Sequence, residues 1–329
     1  MKDRPDHWVG FDLGGTKMVA AVFDEDFRVV GRSKKKARGF EGARAGMDRV
    51  IGTIESALEE ANVSPDRLAC IGLGAPGEVD LKSGVILHAP NLGWDDADIR
   101  SALKKRFDCP FFLINDVDSG VYGEYRFGAG KGGRTVVGIF PGTGIGAGAV
   151  YRGNLITGKR ASGMEIGHIQ VMPSGPLCGC GQRGCLESVS SRLVIASAAA
   201  AAAYRGDAPY LMEHAGTDIR QIRSGVLGDA VAAGDTVVES IVRDAAGWIG
   251  KGVATLVNLL VPDIVILGGG LVESMPDLFL EEVGRTADDT VMRGYRGSYT
   301  LCTAELGDDA AVMGAAAWAQ AHVKGGDTK

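Results

Sequence analysis

A membrane-spanning run is absent from this 329-residue sequence: its most apolar stretch, GVATLVNLLVPDIVIL, is interrupted by Asn258, Pro262 and Asp263, which excludes an unbroken bilayer span. A secretory leader is missing too. The opening MKDRPDHWVG has neither an apolar core region nor a small-residue cleavage site, so a cytoplasmic location is expected. Charge of one sign is not in excess: 35 Lys and Arg against 41 Asp and Glu leave a net charge of -6, unlike a nucleic-acid binder. The only basic run, SKKKAR at 33 to 38, reads as a solvated edge after a hairpin. No G-x-x-x-x-G-K-S/T occurs, which excludes a P-loop. Histidine is scarce, with five residues, as is cysteine, with six. What remains, at 45% hydrophobic content, is an ordinary globular composition and length enough for two domains.

Three of the six cysteines fall within eight positions, CGCGQRGC at 178 to 185. Cys70, Cys109 and Cys302 are scattered beside apolar residues, as core thiols are. In a reducing compartment a tight cluster is more often a metal or redox site than a disulfide framework. The C-x-C-x4-C spacing requires a fourth ligand, and His168 lies ten residues before Cys178. Cys178, Cys180, Cys185 and His168 form a set of three thiolates and one imidazole suited to tetrahedral zinc, with Gly179, Gly181 and Gly184 letting the backbone wrap around it. The alternative is three free thiols in a glycine-rich loop beside an unrelated histidine. Glu165, three residues before His168, and Glu187, two after Cys185, would then be pinned beside the metal as acceptors for sugar hydroxyls.

The same cluster contains G-x-G-x-x-G at Gly179, Gly181 and Gly184, and Gly72, Gly74 and Gly77 repeat the pattern. A dinucleotide fingerprint must follow a strand and open a helix. The first match is full of metal ligands; the second contains Pro76 and runs into the turn-rich EVDLKSG, so a nicotinamide enzyme is disfavoured. Internal repetition is more informative. WVGFDLGGTKMVAAVF at 8 to 23 and VVGIFPGTGIGAGAVY at 136 to 151 share a frame offset of 128. Each reads as a β-hairpin whose glycine-rich tip exposes N–H groups to phosphate oxygens. Periodicity further predicts helices at 41–61, 96–107 and 237–260, strands at 68–74 and 110–114, a buried strand in DIVILGGG followed by a last helical segment, and a helix through ASAAAAAAY at 196 to 204. The sum is a duplicated α/β domain.

Two aspartates stand at strand ends. Asp12 precedes the first glycine turn, where a carboxylate would hold magnesium against bound phosphates. Asp116 follows FFLIN, at the end of a strand where open α/β sheets place their ligands, and is the candidate base for an attacking hydroxyl. An N-cap for a helix beginning near Ser119 is the competing role for Asp116.

Taken in order, DLGGTK at 12–17, GAPGEVD at 74–80, PNLGW at 90–94, ND at 115–116, GTGIGAG at 142–148, EIGH at 165–168, CGCGQRGCLE at 178–187, LGGG at 267–270 and the late ELGDDAAVMGAA resemble the ROK family of bacterial sugar kinases, within the actin and hexokinase superfamily, and most closely its ATP-dependent glucokinases. The resemblance covers nearly the whole chain. It implies an α/β fold of two ribonuclease H-like (actin-like ATPase) domains with a cleft between them: residues 1–120 with 309–329 as a small domain completed by the C-terminal helix, and 121–308 as a large domain carrying the zinc knuckle. The implied reaction is ATP- and Mg2+-dependent phosphorylation of a hexose, D-glucose first, at its 6-hydroxyl with Asp116 as base. Gly77, Asn115, Glu165, His168 and Glu187 would contact the sugar, His168 while also ligating zinc. Asp12, Gly14, Gly15, Thr16, Lys17, Gly142, Thr143, Gly144, Gly269 and Gly270 would line the nucleotide cleft. Members usually pair as dimers, sometimes as dimers of dimers.

Two departures stand out. Asp118 replaces the asparagine usual in N-D-x-N, which is expected to raise the pKa of the base or alter a hydrogen bond in the sugar pocket. Phe140 and Pro141 stand where many relatives carry smaller residues. An N-acylhexosamine kinase, for N-acetylmannosamine or N-acetylglucosamine, is the sister reading. A sugar-responsive repressor is disfavoured because DLGGTK begins at residue 12, leaving no room for a helix-turn-helix. A polyphosphate-using relative would tend to lack the cysteine cluster.

Overall fold

The computed structural model describes residues 5–159 and 163–325, so the outermost ends of the first expected domain lie outside the described residues. Two compact units emerge. The first comprises Met1–Lys131, Asn154–Gly163 and Asp308–Lys329, the second Gly132–Gly153 and Met164–Gly307. The division falls after Lys131 rather than at 120 because Asp116–Phe127 is one continuous helix. Among the described residues no helix is long and apolar enough to cross a membrane.

In the first unit, β1 (His7–Leu13), β2 (Lys17–Phe23), β3 (Val29–Lys36) and β4 (Leu68–Ala75) are followed by a small antiparallel sheet of β5 (Glu78–Asp80), β6 (Val85–Ala89) and β7 (Trp94–Asp98), and then by β8 (Phe111–Asn115). The main sheet runs β3-β2-β1-β4-β8, with β1, β4 and β8 mutually parallel and β2 antiparallel to both of its neighbours, β1 and β3. Lys34, Lys35 and Lys36 are exposed on the edge strand β3, where charge discourages edge-to-edge pairing.

Period-two alternation decides what each face of this sheet carries. Val9, Phe11 and Leu13 of β1 join Val50, Ile54 and Leu58 of the helix Ala43–Ala61 in one core, whereas Trp8 joins Cys70 and the Val312, Ala316 and Ala319 stripe of the C-terminal helix Ala310–Gly325 in the other. Asp12 belongs by alternation to the second face. Glycines let the helix backbone approach on that side: a methyl group at Gly72 of β4 would lie 1.9 Å from Ala315 O, and one at Gly314 of the C-terminal helix would lie 1.7 Å from Ser119 O. The C-terminal helix is thereby seated against both β4 and the helix Asp116–Phe127. Gly314→Ala is expected to destabilise the fold by about 2–4 kcal/mol, through overpacking against backbone that no rotamer change relieves. Urea unfolding measures this, and a loss below about 1 kcal/mol would mean that the two helices are free to slide apart.

The expected helix at 96–107 is corrected. Trp94–Asp98 is a strand paired with β6, burying Trp94 and Ala97, and the helix runs only from Ile99 to Lys104. Asp98 ends the strand by capping the helix, accepting from Ser101 N–H at 2.9 Å.

The second unit repeats the first unit's order. Thr135–Pro141 and Ile145–Tyr151 form an antiparallel hairpin, Ile264–Leu267 lies parallel to the first of these strands, and Thr300–Thr303 lies parallel to Ile264–Leu267. The helix Thr236–Leu260 precedes the third strand and is capped by Asp235, which accepts from Val238 N–H at 3.1 Å. Gly10 of one hairpin and Gly138 of the other occupy equivalent middle positions, as the 128-residue offset expects. Both units therefore show the hairpin followed by parallel strands of a ribonuclease H-like sheet.

Candidate active site

In the first unit the hairpin β1–β2 turns through DLGGTK, where Gly14 N–H donates to Lys17 O at 3.0 Å and Gly15 and Thr16 are exposed at the tip. Lys17 reaches out of the turn, its Nζ donating to Asp308 Oδ2 at 2.6 Å. That bond is the main reason why the Asp308 carboxyl lies below the ordinary range. Asp308 was legible only as part of the late ELGDD motif.

Asp116 is not the helix cap. The helix begins at Asp116 itself, and the cap is Asn115, whose side-chain oxygen accepts from Val117 N–H at 2.8 Å and Asp118 N–H at 3.3 Å. Its amide Nδ2 donates to Gly77 O at 3.3 Å. Gly77 has φ +80° and a methyl group there would lie 2.2 Å from His88 O, so this carbonyl is held by a turn only glycine fits. With the cap supplied by its neighbour, Asp116 keeps one carboxylate oxygen on Val117 N–H at 2.9 Å, and its carboxyl also takes hydrogen bonds from its own N–H and from Asn115. Burial raises its pKa, against the hydrogen bonds of Val117 and Asn115. Asp12, half-buried on β1, is pushed up to about 6, by burial first and by the Asp116 charge second. Two carboxylates with enhanced proton affinity thus share one end of the parallel strands, an arrangement that attracts a cation and poises a base. Asp118, in the first turn of the same helix, is buried, 1% exposed.

In the second unit the cysteine segment folds around Gly184, φ +73°, with Cys178 N–H donating to Gln182 O at 2.8 Å and Leu186 N–H to Ile169 O at 2.9 Å. His168 Nδ1 lies 3.6 Å from Cys178 Sγ, and Cys180 Sγ lies 3.7 Å from Cys185 Sγ. All four donor atoms fall within 4.8 Å of one another. A tetrahedral ion with bonds of about 2.3 Å to sulfur and about 2.0 Å to nitrogen sets neighbouring ligands about 3.5–3.8 Å apart, so the set fits.

Glu187 joins this knuckle to the second glycine turn. Its Oε2 accepts from Ile145 N–H at 3.1 Å, and Cys178 Sγ donates to its Oε1 at 3.6 Å. The turn itself is closed by Gly142 N–H on Gly144 O at 2.8 Å. Gly269, φ +82°, brings its chain to the same place, since a methyl group on it would lie 3.0 Å from Pro141 O, and Gly270 opens the short helix Gly270–Ser274. Phe140 lies over Gly268, where a methyl group would be 2.4 Å from its ring. Glu165 is exposed, its carbonyl accepting from His168 N–H at 3.0 Å. Arg192, which no motif singled out, sits on the tip of the Gly142–Gly144 turn. A groove of about 820 Å³ between the helices Thr236–Leu260 and Pro276–Thr290 contains none of these residues.

Comparison with known proteins agrees with this geometry. The ROK family model matches residues 8–322. The glucokinase of Thermotoga maritima is 32% identical over 318 residues, spanning 96% of this chain and 98% of its own. Among solved structures, a ROK family glucokinase from Streptomyces griseus in complex with glucose and AMPPNP superposes with a TM-score of 0.82 at 31% identity, covering 95% of this chain and 99% of that one. The ROK hexokinase of Thermus thermophilus gives 0.80 at 33% identity over 97% and 100%.

Proposed function

This chain belongs to the ROK family, and we propose that it transfers the γ-phosphoryl group of ATP to the 6-hydroxyl of D-glucose. The observation that carries the mechanism is Asp116, relieved of capping by Asn115 and raised in proton affinity by burial. Asp116 accepts the proton of the sugar O6–H as the new O6–P bond forms and the bridging P–O bond to ADP breaks. The hairpin donors of Gly14, Gly15, Thr16, Gly142, Thr143 and Gly144, with Lys17, receive the phosphates, and Gly269 and Gly270 the rest of the nucleotide. Magnesium, when bound, neutralises phosphate charge, and Asp12 would hold it, directly or through water.

Gly77, Asn115, Glu165, His168 and Glu187 are the proposed sugar contacts. The donor set of Cys178, Cys180, Cys185 and His168, three sulfurs and one nitrogen, suits zinc, which when bound would fix the loop that presents His168 and Glu187. The proposal includes a cytoplasmic location and assembly as a homodimer or a dimer of dimers, as the family resemblance implies.

The test is ADP release with MgATP over glucose, mannose, fructose, allose, N-acetylglucosamine and N-acetylmannosamine. A clear preference for glucose is expected. An N-acetylated sugar turning over fastest would overturn the substrate and leave the chemistry; silence on all six would overturn both.

A further inference from the structure

Arg192 is the first residue of the 14-residue helix Arg192–Arg205. Its backbone N–H donates to Gly142 O at 2.9 Å and its guanidinium Nη2 donates to Thr143 Oγ1 at 2.9 Å. This is an adverse place for a cation. The N-terminal turn carries the positive end of the helix dipole, where acidic side chains are favoured, and this helix has none in its first turn. Among the described residues the side chain has the Thr143 hydroxyl as partner and no carboxylate. The backbone N–H groups of Thr143 and Gly144 likewise meet no acceptor among the described residues. The Arg192 guanidinium, the Thr143 hydroxyl and the two turn amides thus lie together on one stretch of the turn, while the carboxylate at the turn, Glu187, is on Ile145 N–H and not on the guanidinium; an anion at the turn would take up the charge of Arg192. Glu187 holds the far side of the same turn through Ile145 N–H, so the turn is braced from both sides by the stretch from 187 to 192.

We propose that Arg192 is a positioning residue for the phosphoryl donor: it fixes the Thr143 hydroxyl and the Gly142–Gly144 turn, and the charge it brings is balanced by the phosphates of ATP. This rests on the assignment of that turn to the nucleotide. A guanidinium that served only to tie helix to hairpin would affect stability and both substrates together.

The test uses the full chain with Arg192→Ala, Arg192→Lys and Thr143→Val, measuring MgATP affinity by calorimetric titration, KM for ATP and for glucose, and the thermal midpoint. Arg192→Ala is expected to weaken ATP binding about 10- to 100-fold, the loss of a charge-assisted contact, with the KM for glucose within about twofold and the midpoint unchanged. Arg192→Lys should recover part of the affinity, keeping the charge without the fork. Thr143→Val should weaken ATP in the same direction, and the double variant should be no worse than the poorer single one. Unchanged ATP affinity in Arg192→Ala overturns the proposal. So does a joint loss of ATP and glucose affinity with a lowered midpoint. Wild-type protein that binds MgATP yet phosphorylates no hexose would overturn the proposed reaction instead, and the titrations would still decide the role of Arg192.

Discussion

Asp116→Asn is expected to lower kcat by roughly 10²- to 10⁴-fold while leaving the fold and glucose binding in place. Asparagine keeps the shape at the start of the helix, and the cap is untouched because Asn115 supplies it. What is lost is the acceptor for the O6 proton. The raised pKa adds a second readout. Burial holds the proton on Asp116 to higher pH than on an ordinary carboxylate, so kcat/KM in the wild type should rise with pH along a limb above the usual carboxylate range. Stability has the opposite sign. A carboxylate with a raised folded-state pKa stabilises the fold in its protonated form, and that contribution disappears as pH rises from the unfolded value of about 3.9 through the folded one. Asp116→Asn removes a carboxyl whose ionisation burial opposes, so at pH values above its titration the thermal midpoint of the variant should equal or exceed that of the wild type. Substantial residual turnover, with the acid limb unmoved, would remove Asp116 from the role of base.

The second large effect is expected at the cysteine knuckle. Cys178 is buried, its sulfur lies against His168 and Glu187, and its backbone closes the loop on Gln182. Cys178→Ala should abolish the bound metal and weaken glucose binding by at least about tenfold, because the loop that orients His168 and Glu187 loses its anchor. Metal content by atomic emission and glucose affinity by titration check the two halves separately. A variant without metal that binds glucose as tightly as the wild type would sink the scaffold role and leave the cysteines a local stabilising device.

The parts of this molecule that were legible in the sequence are those fixed by short-range rules. Two glycine hairpins could be read because each is a local strand-turn-strand pattern, and the offset between them exposed the duplication. Cys178, Cys180, Cys185 and His168 could be grouped because ligand chemistry restricts which residues satisfy a soft cation, and the structure brings their donor atoms together. What sequence could not decide was competition between neighbours. Asn115 and Asp116 are both good caps, and only the folded helix start shows that Asn115 took the role and released Asp116. WDDAD reads equally as the start of a helix, but Trp94 and Ala97 are drawn into a strand by the preceding strand β6, onto which the chain folds back through the turn at 90–93. Arg192 carried no motif at all; its importance comes from Thr143, 49 positions earlier.

The seating of the C-terminal helix also bears on how the chain is made. Ser119 Oγ donates to Ala311 O at 2.6 Å across 192 positions of sequence. At about 5–20 residues per second, ribosomal synthesis leaves the face of the first sheet that bears Trp8 and Cys70 uncovered for roughly 10–40 s before Ala310–Gly325 exists to close it. The second unit contains no residue beyond Gly307 and needs no such wait. The strand that carries Asp12 and the helix that opens on Asp116 are thus in the first half of the chain to emerge, and the unit they belong to is the last to be completed.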